Sequence, residues 1–95
     1  MTDEKLTELA ARAYLCAGGQ IQAFTAELWE PLIHDAHAFR LATRLSMMIN
    51  VEYGETEVAA HPSLSDGHSI VELHNGDALA ATRRAIVRCA AGDYA

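Results

Sequence analysis

Apolar residues recur at helical spacing in three stretches of the chain and alternate with polar ones in two shorter stretches. Over residues 3–17, Leu6, Leu9, Ala10, Ala13, Cys16 and Ala17 fall on one side of a helix, with Ala11 and Leu15 off that stripe. Thr2 stands where an N-cap is needed, Asp3 and Glu4 sit in the first turn, and Gly18-Gly19 marks the end. A second helical period opens at Asp35, itself a good cap, and runs to about Met48 through Ala38, Leu41, Ala42 and Leu45. The third covers residues 78–91, capped by Asp77 and closed by Gly92. Its inner face is predicted as Leu79, Thr82, Ala85, Ile86, Cys89 and Ala90.

Between the second and third helices the period drops to two. Ile49, Val51 and Tyr53 alternate with Asn50 and Glu52, which predicts a half-buried strand. Residues 68–74 predict another, with Ser69, Val71 and Leu73 on one face and His68, Ile70, Glu72 and His74 on the other. Val58-Ala59-Ala60 either extends the first strand past a bulge or forms a short strand of its own. Residues 61–67 read as a loop, and Asn75-Gly76 as a turn. Residues 20–34 have no sustained period. Gln20 to Ala23 alternates only briefly, and Trp29-Glu30-Pro31 reads as a loop anchored by its aromatic ring. The prediction is therefore one α+β domain over residues 1–95, a small antiparallel sheet or hairpin packed with three helices in the order α-(β)-α-β-β-α.

Composition narrows what such a domain can be. The hydrophobic fraction is 51%, but alanine leads it, and alanine buries little area. A formal net charge of -6 argues against a general nucleic-acid binder, whose footprint is basic. The only cationic cluster along the chain is Arg83, Arg84 and Arg88, and cations are expected near a helix C-terminus on electrostatic grounds alone. Cys16 and Cys89 form no metal-type pair and read as free thiols. Met1 to Glu4 is acidic where a secretion signal is basic, and no apolar run approaches the ~20 residues of a membrane span. A reducing cytoplasm is the expected setting.

Several residues together resemble a known type. Trp29-Glu30-Pro31-Leu32, the helix start at Asp35-Ala36, a hairpin, and the closing Ala81 to Ala91 run are similar to the small phage and prophage proteins of the "ABA sandwich" type. The resemblance covers about residues 28–91. It implies an α/β/α layered fold and a phage-linked gene, and it implies no activity, cofactor or catalytic residue.

The candidate chemistry is sparse. His34, Asp35 and His37 stand close together, and His61, Asp66, His68 and His74 follow, but no H-x-x-x-H or H-E-x-x-H spacing occurs. Ser65-Asp66-His68 has the letters of a hydrolase triad at positions too close along a loop to form the relay. No metal, cofactor or catalytic residue is expected. The expected role is contact with other proteins, as an accessory protein of a phage or prophage that self-associates as a homodimer or binds a host or phage protein. Ala80, Val87 and Ala91 form a second apolar line on the last helix, and Leu15 and Ala11 another on the first. The expected interaction surface is Leu15, Ala80, Arg84, Val87 and Arg88. One alternative is an acidic mimic of nucleic acid built on Glu52, Glu55, Glu57 and Glu72. The other is a small metal protein or enzyme built on the histidines.

Overall fold

The computed structural model describes residues 1–19, 29–59 and 69–93. In chain order they form α1 (Asp3–Cys16), α2 (Asp35–Arg44), β1 (Met48–Glu52), β2 (Glu55–Ala59), β3 (Ser69–Leu73) and α3 (Ala78–Ala91). The three strands make one antiparallel sheet in the order β1-β2-β3. The α+β class is as the sequence predicts, but the strands expected at residues 49–53 and 68–74 are not paired with each other: the Val58 segment is a strand in its own right and lies between them. The bracketed strand near Gln20 lies outside the described residues.

α1 starts where Thr2 Oγ1 accepts the Lys5 amide at 3.1 Å. Its buried row is Leu6, Ala10 and Tyr14, one residue every four. Cys16, expected inside, is exposed. Tyr14 displaces the row by supplying the bulk. Its ring stacks at 5.7 Å from that of Trp29 and lies so close to Gly19 that a Cβ there would stand 2.5 Å from Tyr14 Cε2.

α2 begins one residue earlier than its best capping side chain suggests. His34 is the N-cap and makes no side-chain cap bond, while the Asp35 carboxylate accepts from Arg83 Nη1 at 2.6 Å. The helix ends at Arg44 instead of near Met48. Ser46 turns left-handed, φ 54, and the amides of Ser46 and Met47 bond back to the carbonyls of Thr43 (3.2 Å) and Ala42 (3.0 Å). That is the Schellman closure usually built on glycine. It frees Met48 to open β1.

α3 is the centre of the molecule. It packs on α1 and α2 on one side and on β2 and β3 on the other. Ala81, Ala85, Ile86, Val87 and Cys89 are all buried, and at 100° per residue they span about two thirds of the helix circumference. Small residues let four neighbours approach one helix. Asp77 caps it, accepting the Ala80 amide at 3.0 Å. Leu79, expected inside, is exposed in the first turn.

The sheet faces follow the predicted alternation, and the register shows which face is covered. Residues directly opposite one another share a face, so the register places Ile49, Val58 and Ile70 in one row and Val51, Thr56 and Glu72 in the next. These rows face α3, and Thr56, Val58 and Ile70 are buried. Val71 and Leu73 are on the opposite, open face and exposed, so the more apolar face of β3 is the uncovered one. Among the described residues helices cover only one side of the sheet. The layers run sheet, α3, then α1 with α2, instead of helix, sheet, helix.

Candidate functional site

The face of β3 that carries Glu72 meets α3, because α3 supplies its polar partners. Arg88 Nη1 donates to Glu72 Oε2 at 2.6 Å, and Arg88 Nε to Asp93 Oδ2 at 3.1 Å. The carboxylate partners, Glu72 first, raise the Arg88 pKa above its ordinary value against the opposing effect of burial. Arg84 stands 3.9 Å from Glu72 and 2.9 Å from Asp3. Beside this chain, Thr56 Oγ1 is 2.8 Å from His74 Nε2 and 2.9 Å from Thr82 Oγ1. A wholly buried hydroxyl is thereby satisfied from both a strand and a helix. These groups join sheet to helix, and the network uses Glu72 and His74, which the alternation places on one face of the strand.

The five residues expected to form one interaction surface do not form one. Val87 is 0% exposed, held in the core because α3 is covered on both sides. Arg88 is largely buried and spent on Glu72 and Asp93. Ala80 is half-buried, and Arg84 is tied to Asp3. Leu15 is exposed on a different helix. Ala91, from the same proposed line, packs against the core.

His34 and His37 do meet, with ring centroids 5.0 Å apart, but His37 has a structural task. Its Nδ1 accepts the Glu30 amide at 2.9 Å, which ties the 29–33 turn to α2. Burial first, then the charges of His34 and Arg40, hold its pKa below the ordinary value, with Glu30 acting in the opposite sense. Among the described residues no three His, Cys, Asp or Glu side chains converge on a metal position. His61, Asp66 and His68, the Ser65-Asp66-His68 series, and the 61–67 loop with Pro62 and Leu64 lie outside the described residues. The acidic group also divides. Glu52 and Glu55 pair across the hairpin end, Glu57 takes the Ser69 hydroxyl at 2.8 Å on the open face, and Glu72 is on the other face.

The least covered element is β1. All five of its residues are exposed, and its outer edge has no strand neighbour among the described residues. Ile49 and Val51 face the helix side of the sheet yet are 40% and 58% exposed, because α3 packs over β2 and β3 and stops short of them.

No family model, curated protein or solved structure matches the chain. The site must therefore be argued from its own geometry. Two features stand apart from the structural network: the open β1 edge, and a pair of arginines on α2. No described helix is long and apolar enough to cross a membrane.

Proposed function

We propose that the protein acts by protein–protein contact and not by catalysis, and that its partner at β1 is a second copy of itself. The open apolar edge of β1 carries this reading. An unpaired strand edge offers a row of free amides and carbonyls to another strand. Antiparallel pairing of two β1 strands about Asn50 puts Ile49 opposite Val51 of the second copy on the helix side. It puts Met48 opposite Glu52 on the other side. No carboxylate then meets a carboxylate, and the apolar pairs continue the buried row of Val58 and Ile70 across the two-fold axis. The phage-linked setting rests on the resemblance of residues 28–91 alone.

Light scattering after size exclusion tests the proposal. The expected result is a dimer mass at concentrations up to ~100 μM, and a monomer mass for Val51→Lys with an unchanged circular dichroism spectrum. Charge at an edge blocks pairing, and the exposed Val51 can be exchanged without entering the core. A monomer mass for the unaltered chain removes the proposal.

A further inference from the structure

Arg40 and Arg44 lie one helical turn apart on α2 and line, with Tyr14 and Thr43, a surface cavity of about 440 Å³. The other basic side chains, Lys5, Arg12, Arg83, Arg84 and Arg88, each pair with a carboxylate. Arg40 and Arg44 have no ion-pair partner among the described residues, in a chain whose net charge is -6. Two guanidiniums without a carboxylate partner among the described residues, both on the wall of one cavity, are not explained by ion pairing within the fold.

We propose that this cavity binds a small ligand through a carboxylate or phosphate group, gripped between Arg40 and Arg44. Guanidinium groups donate only, in a planar fork that matches both kinds of oxyanion. Thr43 does not compete for the role, because its hydroxyl proton is directed at the carbonyls of Phe39 (2.9 Å) and Arg40 (3.1 Å). The Tyr14 wall is fixed in advance. Tyr14 is wedged between Trp29 and Gly19, and Arg44 Nη1 lies beside Gly18, 3.9 Å from where a Cβ would stand. That is the C-terminal turn of α1, whose dipole favours a cation. The cavity volume lies in the range of small-molecule sites. A polyanion does not fit the same chemistry, because a chain with a net charge of -6 repels it.

The test is titration of the full chain at about pH 7 with sodium phosphate and, separately, sodium acetate, at constant ionic strength set with sodium chloride. Amide and arginine side-chain NMR shifts are followed. Saturable shifts confined to Gly18, Arg40, Thr43 and Arg44 are expected with at least one of the two anions, and the anion that saturates names the ligand's group. Arg40→Gln should weaken binding about tenfold or more, and Arg44→Lys, which keeps charge but loses the fork, should weaken it measurably. Arg40 is exposed and takes part in no packing of the core, so its variant stays interpretable if an Arg44 change disturbs the α1 turn. Linear drift without saturation for both anions, or equal binding by Arg40→Gln, overturns the proposal.

Discussion

Glu72→Gln keeps the shape of the side chain and removes the charge that holds Arg88. The two groups meet at 2.6 Å with 19% of each side chain exposed, so the bond is charge-assisted and mostly withdrawn from water. Hydrogen bonds to charged groups contribute about 1.5–3 kcal/mol. Residual exposure lowers that figure, and so does Asp93, which keeps hold of Arg88 at 3.1 Å. The expected cost is therefore about 1–2 kcal/mol. Arg88→Met leaves the half-buried Glu72 with only Arg84, at 3.9 Å, and is expected to cost about 2–3 kcal/mol. The double variant should cost little more than Arg88→Met alone, a coupling of about 1–2 kcal/mol, because the second change removes a charge already stranded by the first. Urea unfolding followed by circular dichroism, at one fixed protein concentration, measures all four corners of the cycle. In thermal unfolding each kcal/mol appears as about 4–8 °C for a domain of this size. Costs that add within about 0.5 kcal/mol would mean that Glu72 and Arg88 do not act as a pair, and the account of the sheet–helix joint given above would fail.

Two further outcomes follow from local geometry. His37 is used in its neutral form and its pKa is lowered from 6.5, so as pH falls the unfolded chain takes up that proton first. Its contribution to stability is complete above pH 6.5 and is lost as pH falls from there through the lower folded value. The stability difference between the native chain and His37→Gln should shrink over that range, and parallel pH curves would contradict it. Gly19→Ala forces the Tyr14 ring away from a Cβ that would stand 2.5 Å from it. It should cost about 1–3 kcal/mol and change the emission of Trp29, the only tryptophan; unchanged emission and stability would count against the packing described.

The starts of α1 and α3, the end of β3 and the full span of α3 could be read from the sequence, because they rest on local signals: Thr2, Asp77, Asn75-Gly76 and Gly92. What escaped was set by tertiary partners. The end of α2 depends on Ser46 adopting a conformation that glycine usually marks. The covered face of β3 is chosen by its register with β2 and by Arg88 reaching Glu72, neither of which alternation can reveal. Val87 reads as an outward residue only if α3 has one buried side, whereas it has two. Arg40 and Arg44 have the same four-residue spacing as Arg84 and Arg88, so spacing alone does not separate the pair that meets carboxylates from the pair that meets none among the described residues.

The position of α3 has a consequence for the order in which the molecule can be made. Every layer of the core closes on a helix that is the last of the described elements to leave the ribosome. Until it emerges, α1, α2 and the sheet have almost nothing to pack against, since α1 and α2 barely touch one another and neither rests squarely on the strands. A nascent chain arrested before Ala78 therefore exposes Leu6, Leu41, Val58 and Ile70 together. Burial of those side chains waits for α3, and an unfinished chain that exposes them carries apolar surface of the kind that chaperones bind. Shortening the chain from its C-terminal side into α3 removes the centre of the structure, not its margin.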